Sequence, residues 1–283
     1  MSIDLITEYG ISGLILLIVF SLSIGSFLGV IVHRFPKILA EYESTDTHLF
    51  ALLFKKNTNN QSLAFPSSTC DKCGSPIRIH EKIPLLSYLL LNGKCAYCDQ
   101  SIPKIYPTIE LTTCLISLAM IAKFGFSAQA LVFLLLSWML ISASFMDITQ
   151  KLLPDQITLP LIWIGLITNV AYEFTPIHEA ILGAVVGYLS LWVVFWLYKL
   201  LRKKEAIGYG DFKLLSVVGS WLGVYALSWV LLIAAFTGLV FGLYRVWSGR
   251  QNFEDPIAFG PFISFSCLFF LLFKEQFIML ISY

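Results

Sequence analysis

Long apolar runs alternate with short polar segments along most of this chain, beginning with the run at residues 11–32. Each run approaches the roughly 20 residues that a helix needs to cross the hydrocarbon core of a bilayer. The pattern predicts seven further helices, at 105–122, 128–146, 157–173, 177–200, 212–225, 228–247 and 258–281. We therefore expect an all-α polytopic membrane protein with about eight transmembrane helices. No charged loop separates the two runs near Val224 to Trp229, so a re-entrant segment is an alternative there.

One long polar segment interrupts the apolar pattern and gives the expected domain organisation. Residues 1–32 form a first transmembrane helix, residues 33–104 a small polar domain, and residues 105–283 a membrane-embedded core of about seven helices. Because no small-residue cleavage site is evident after the first run, we expect a retained helix rather than a cleaved signal peptide. Within residues 38–66, an Asn/Gln/Ser-rich piece at 57–62 is typical of a flexible insertion.

The composition agrees with a membrane location. Hydrophobic residues make up 57% of the 283 residues and charged residues only 13%, which is too apolar for a soluble domain of this size. The lipid bilayer is therefore an expected partner. The net charge of +1 gives no indication of an acidic or nucleic-acid partner, and we expect no nucleic acid to bind. The sequence does not indicate an oligomeric state.

Four cysteines in the polar segment form two Cys-x-x-Cys pairs: Cys70, Cys73, Cys95 and Cys98. Two such pairs suit a tetrahedral zinc site, and four thiolates leave no open position for catalysis, so we expect a structural metal. Turn-forming residues, Gly74 and Asp99, follow the pairs. The alternative is two redox pairs or ordinary loop cysteines. The other two cysteines, at 114 and 267, fall in predicted helices, where we expect them to serve in packing.

The orientation follows from the cysteines and from the basic residues. Thiolates that bind a metal need a reducing compartment, which places the cysteine segment in the cytoplasm. Alternating crossings then put every Lys and Arg except Lys123 and Lys274 on the cytoplasmic side. This bias agrees with the positive-inside rule and places both termini on the other side.

Two aspartates at predicted helix ends are candidates for chemistry. Asp147 ends the third helix, and Asp211 opens the sixth within Gly208-Tyr209-Gly210-Asp211. Two crossings separate them, so both carboxylates are predicted at the cytoplasmic face. In a close pair, one carboxyl keeps a proton while the other activates water, as in aspartic peptide-bond hydrolysis. The alternative is that both are simple helix-end residues.

Neighbouring residues extend the prediction. The glycines before Asp211 are expected to let the backbone turn tightly and approach a substrate main chain. Asp155 is expected to cap the N-terminus of the fourth helix rather than to act as a third catalytic acid.

These residues resemble the type IV prepilin peptidases, which are bacterial inner-membrane aspartic proteases of the GxGD class. The resemblance covers about residues 24 to 262. The matching motifs are Gly25-Ser26-Phe27-Leu28, His33-Arg34-Phe35-Pro36, the two cysteine pairs with Ile83-Pro84-Leu85-Leu86-Ser87-Tyr88 between them, Tyr106-Pro107 with Glu110, Asp147 with Leu152-Leu153-Pro154-Asp155, Gly208 to Leu215, and Phe259-Gly260-Pro261-Phe262.

The resemblance implies that Asp147 and Asp211 form the catalytic dyad. It also implies the substrates, which are precursors of type IV pilins and of type II secretion pseudopilins, cleaved after a glycine at the cytoplasmic membrane face. Many members of the family also methylate the new N-terminal amine with S-adenosylmethionine. Because shorter, non-methylating relatives lack the cysteine domain, its presence implies both activities. No residues are assigned to the methyl donor by the sequence.

Two other functions compete with this interpretation. A GxGD protease acting on other substrates without methylation would usually lack the paired cysteines. An ion-coupled transporter would also have many helices and two aspartates, but its aspartates should lie near mid-membrane rather than at helix ends. A non-catalytic metal-binding scaffold would give Gly208-Tyr209-Gly210-Asp211 no purpose.

Overall fold

The computed structural model describes residues 2–44, 69–70, 72–203, 208–249 and 257–281. The Asn/Gln/Ser-rich piece at 57–62 lies outside these residues. Almost all of the described chain is helical. It contains no strand, and the only β pairing in it is two isolated bridges, Thr69 with Pro76 and Lys94 with Ser101.

Nine α-helices are present in the described residues, and eight of them correspond to the predicted apolar runs. In chain order they are α1 (Ser2–Ser44), α2 (Leu86–Leu90), α3 (Ile105–Phe124), α4 (Ala128–Gln150), α5 (Asp155–Tyr172), α6 (Ile177–Arg202), α7 (Tyr209–Leu222), α8 (Val224–Trp247) and α9 (Gly260–Ile281). A short 3-10 helix, Ile79–Lys82, precedes α2.

The first helix continues well past its predicted end at Val32. Its buried positions repeat at helical spacing beyond that residue, at Val32, Phe35 and Leu39. This apolar stripe keeps one face of the helix packed although polar residues occupy the other face. Polar composition alone therefore placed the end of the helix too early.

Five of the described helices, α1, α3, α4, α6 and α8, are long and apolar enough to cross a membrane. Large apolar side chains such as Trp196, Leu200 and Phe236 are exposed on them, as expected for surfaces that contact lipid. The chain is thus a multi-pass membrane protein, and the count of eight spans stays a prediction. Helix α7 has only 14 residues, about 21 Å, which is shorter than the hydrocarbon core.

The chain divides into two compact units, residues 1–142 and 143–283. In the first unit, α1 packs against α3. A Cβ atom built on Gly25 would lie 2.7 Å from the Cα atom of Glu110, so the two backbones approach closely at this point. Ser21, one turn before Gly25, is also buried. Small residues of this kind commonly bring helices together in membranes.

In the second unit, the short helix α7 forms the centre. All of its residues from Asp211 to Leu222 except Lys213 are buried. It packs against α5, α6, α8 and α9. Gly183 of α6 faces Gly219 of α7 so closely that neither position has room for a Cβ atom.

Polar contacts hold the C-terminal half of α7. The indole N–H of Trp221 donates to the carbonyl of Leu161 at 2.9 Å, and the Asn169 side-chain amide donates to the carbonyl of Ser220 at 2.8 Å. The Ser216 hydroxyl donates to the carbonyl of Ala184 at 2.8 Å. Because buried polar groups need partners, these bonds fix the position of α7 between α5 and α6.

Candidate active site and metal centre

Asp147 lies near the end of α4, with 6% of its side chain exposed. Its Oδ2 atom accepts a hydrogen bond from the backbone N–H of Gly260, at 3.0 Å. Gly260 is the first residue of α9. The N-terminus of a helix presents unpaired N–H groups and a partial positive charge, so it is a favourable place for a carboxylate.

Asp211 lies in the first turn of α7 and is also only 6% exposed. Its backbone N–H bonds the carbonyl of Gly208 at 3.1 Å. Its Oδ1 atom is buried and has no hydrogen-bond partner within the described parts of the chain. Buried polar atoms are nearly always hydrogen-bonded, so an unpartnered carboxylate oxygen indicates a group that is available for chemistry rather than for structure.

The two carboxylates lie close enough for the charge of Asp147 to act on Asp211. Leu153 packs between the backbone at Gly210, which precedes Asp211, and the backbone at Gly260, which bonds Asp147. A Cβ atom on Gly210 would lie 2.5 Å from the Leu153 Cβ atom, and one on Gly260 would lie 3.2 Å from its Cδ1 atom. These contacts place the two aspartates on either side of Leu153, and their pairing as a catalytic dyad stays a prediction.

The glycines before Asp211 act differently from the expectation. Neither Gly208 nor Gly210 has a positive φ, and Gly210 lies inside α7. The chain turns into α7 at Gly208, where the Asp211 N–H bonds the Gly208 carbonyl, but this turn does not need the positive φ that glycine allows. The lack of a side chain at Gly210 instead makes room for Leu153.

The prediction that Asp155 caps its helix is wrong. Pro154 occupies the N-cap position without a side-chain cap bond, and Asp155 is the first residue of α5. The Asp155 carboxylate pairs instead with the ammonium group of Lys213, on α7. Because the two residues are 58 positions apart, local spacing gave no sign of this contact.

The four predicted metal ligands are brought together in the first unit. The Sγ atoms of Cys70, Cys73, Cys95 and Cys98 all lie within 4.8 Å of one another. Those of Cys70 and Cys98 are 3.8 Å apart. Zinc–thiolate bonds of about 2.3 Å in tetrahedral geometry require sulfur atoms about 3.8 Å apart. The cluster has the donor set and size to hold a metal ion.

The two cysteine turns have the same backbone geometry. Cys70 N–H bonds the carbonyl of Ser75, and the N–H of Gly74 returns to the Cys70 carbonyl. Cys95 and Asp99 repeat these bonds in the second turn. The fifth residue of each turn has a positive φ, 67° at Gly74 and 54° at Asp99, which confirms the predicted turn-formers.

Two thiols of the cluster are held in surroundings that favour the thiolate: backbone hydrogen bonds from Tyr97 and Cys98 lower the pKa of the Cys95 thiol, and Cys73 is the second. Hydrogen bonds from the side chain and backbone of Ser75 lower the pKa of the Cys73 thiol to about 6. Thiolate, rather than thiol, is the form that binds a metal. The remaining cysteines, Cys114 and Cys267, are buried within helices, as predicted for packing residues.

Known proteins resemble both units of this chain. The bacterial peptidase A24 N-terminal domain profile matches residues 19–124, and the type IV leader peptidase family profile matches residues 134–243. The prepilin leader peptidase/N-methyltransferase of Pseudomonas aeruginosa is 40% identical over 275 residues, which covers 97% of this chain and 95% of that protein. The chain belongs to the type IV leader peptidase family. The protein of the same name from Aeromonas salmonicida is 42% identical over 257 residues, covering 88% of this chain and 87% of its own length. No solved structure matches.

The family profiles divide the candidate sites between them. All four cysteines fall within the N-terminal match at 19–124, whereas Asp147 and Asp211 both fall within the leader peptidase match at 134–243. Gly260, whose amide holds Asp147, lies beyond the second match. Sequence reasoning singled out the Phe259-Gly260-Pro261-Phe262 motif but missed its role, because the hydrogen bond joins residues 113 positions apart.

Proposed function

We propose that this protein removes the leader peptide from type IV prepilins and type II secretion pseudopilins, with Asp147 and Asp211 as its catalytic dyad. The observation that supports this most is the pair of buried, neighbouring carboxylates, one of which has an oxygen without a partner among the described residues. Both lie near helix ends, as expected for a protease acting at a membrane face rather than for a mid-membrane ion site. The curated relatives named as prepilin leader peptidases support the substrate class.

Each carboxyl group has a distinct part in the proposed reaction. One, carrying a proton, donates it to the scissile carbonyl, while the other takes a proton from the attacking water. The oxygen of that water bonds to the carbonyl carbon, and the C–N bond then breaks as a proton passes to the leaving amine. The Gly260 amide keeps the Asp147 carboxylate oriented throughout.

The proposed location is the bacterial inner membrane, with the dyad and the cysteine segment facing the cytoplasm. The four free cysteines arranged for a metal and the bias of Lys and Arg to one side support this orientation. A prepilin has its basic leader on the same side, so the scissile bond would reach the dyad without crossing the bilayer.

The metal held by the cysteine cluster is proposed to be zinc, with a structural role. All four thiolates would bind it, which leaves no position for a substrate. The surrounding segment contains no α-helix longer than α2 in its described part, 69–70 and 72–104, so metal binding would contribute much of its folding free energy.

We predict that Cys70→Ser reduces the zinc content from about one ion per chain to near zero, because one thiolate in four is lost. Zinc is measured by plasma mass spectrometry on protein purified under reducing conditions. Cys114→Ser is the matched control, since that cysteine is buried in α3 and should leave the zinc content unchanged. Wild-type protein without stoichiometric zinc would rule out the proposed metal.

A second proposed activity is methylation of the newly formed N-terminal amine with S-adenosylmethionine. When bound, this donor supplies a methyl group: the amine lone pair forms the N–C bond, the C–S bond breaks with its electrons kept by sulfur, and the amine proton goes to solvent. The relatives from Pseudomonas aeruginosa and Aeromonas salmonicida, which are named as N-methyltransferases as well as leader peptidases, support this activity.

We expect purified protein to convert a prepilin into a shorter product whose first residue carries one methyl group. Mass spectrometry of the product measures both reactions, because the leader and the 14 Da methyl increment are resolved separately. Omission of S-adenosylmethionine should leave cleavage intact and remove the increment. A cleaved but unmethylated product in the presence of the donor would contradict the second activity, and an intact prepilin would contradict the first.

A further inference from the structure

A cavity of about 910 Å³ lies in the first unit, where α1 and α3 meet the cysteine segment. Its size is in the range of sites that bind nucleotide-sized molecules. Its wall combines two carboxylates, Glu81 and Glu110, three Lys and Arg side chains, Arg34, Lys72 and Lys82, and several aromatic rings, including Tyr88, Tyr97 and Tyr106. Cys70 and Cys95 of the cysteine cluster also line the cavity, but neither that cluster nor the proposed peptidase reaction accounts for the buried Glu110 and the aromatic rings.

Glu110 is the chemically most informative residue of the cavity. Only 9% of it is exposed, although carboxylates are rarely buried without a charge to balance them. Its Oε2 atom accepts the backbone N–H of Leu85 at 2.8 Å, and Ser26 also bonds its carboxylate. These neutral donors fix the position of the carboxylate without neutralising it, so a cationic ligand would be strongly favoured beside it.

The backbone conformation at Leu85 also indicates that the position of the Glu110 carboxylate has a function. Leu85 has φ 57° and ψ −45°, a conformation that leucine rarely adopts. Its N–H nevertheless points at the Glu110 carboxylate. Strain of this kind tends to be kept at functional sites, where it holds a group in a required position.

Three tyrosine rings supply the aromatic part of the wall. Tyr97 already has the Arg78 guanidinium over its ring, 5.6 Å from the centroid, and Tyr106 lies 6.3 Å from the His33 ring. Aromatic faces attract cations, and they also stack on purine bases. A cavity that joins such faces to a buried carboxylate and an arginine matches a ligand with a base, a cationic centre and a carboxylate.

We infer that this cavity is the binding site for S-adenosylmethionine. Glu110 would bind the ammonium group of the donor, the tyrosines its adenine and sulfonium, and Arg34 its carboxylate. The inference rests on the proposed methyltransferase function. A lipid chain would bring no positive charge to the buried Glu110 carboxylate, and an inorganic phosphate would leave both that carboxylate and the aromatic rings unused.

The test is binding of tritiated S-adenosylmethionine to the full-length protein in lipid nanodiscs, by equilibrium dialysis. Glu110→Gln keeps an oxygen that can accept the Leu85 N–H but removes the charge, so affinity should fall about 10- to 100-fold. Glu41→Gln makes the same charge change on α1 outside the cavity and should bind like the wild type. Equal affinity of the Glu110→Gln and wild-type proteins would overturn the assignment.

Ultraviolet crosslinking of the bound donor to wild-type protein tests the site without any variant. The labelled peptides should come from the segment that contains Tyr88, Tyr97 and Tyr106. Label confined to residues 143–281 would overturn the site while leaving the methyltransferase function intact. A wild-type protein that methylates no prepilin and binds no donor would instead contradict the proposed function itself.

Discussion

Replacement of either Asp147 or Asp211 with asparagine is expected to reduce leader cleavage by about 10³-fold or more, because each removes one of the two proton-transfer groups. Asparagine has nearly the same shape as aspartate. It can still accept the Gly260 N–H at position 147, and it fits the buried space at position 211. The loss should therefore appear in kcat rather than in folding. The measurement is single-turnover cleavage of a prepilin by protein reconstituted in lipid.

The matched control for these variants is Asp99→Asn. Asp99 is an exposed loop residue with φ 54°, a conformation that asparagine tolerates well, so its activity should stay at the wild-type level. Because the two dyad residues act as a unit, the double variant should be little slower than either single variant. Normal cleavage by either single variant would show that the dyad is wrongly assigned.

Local patterns in the sequence were sufficient to predict most of the helices and the metal cluster. Helix α3 was expected at 105–122 and is observed at Ile105–Phe124, since apolar runs of spanning length are set by the residues within them. The cysteine turns were likewise predictable, because each needs only two cysteines and a residue that tolerates a positive φ.

The contacts that build the candidate active site were not predictable in the same way. The Gly260 amide meets Asp147, and Lys213 meets Asp155, across 113 and 58 positions respectively. Such pairs depend on how whole helices pack, which no local period encodes. The break between α7 and α8 is a single residue, Gly223, with φ 82°. Since no charge marks it, the hydropathy pattern placed this boundary several residues too late.

Gly219→Ala is expected to cause a large loss of stability for so small a change, because α7 is buried and cannot move away from α6. The added methyl group would overlap the backbone carbonyl of Gly183, and backbone has no alternative rotamer. Overpacking typically costs about 1 to 3 kcal/mol of unfolding free energy, and we expect the upper end, about 3 kcal/mol, because fixed backbone is in the way. In a domain of this size, that lowers the apparent Tm by roughly 6 to 12 °C.

The matched control is Gly238→Ala on α8, where a Cβ atom would lie 3.6 Å from the nearest side-chain atom, an ordinary contact. Alanine favours a helix by about 1 kcal/mol over glycine, so this variant should be as stable as the wild type or more so. Thermal unfolding in detergent, followed by tryptophan fluorescence, compares the two. Because Asp211 opens the same helix as Gly219, the Gly219→Ala protein should also cleave prepilin more slowly below its Tm. Equal stability of the two variants would mean that α6 and α7 do not pack through Gly183 and Gly219, and the placement of Asp211 by that packing would then fail with it.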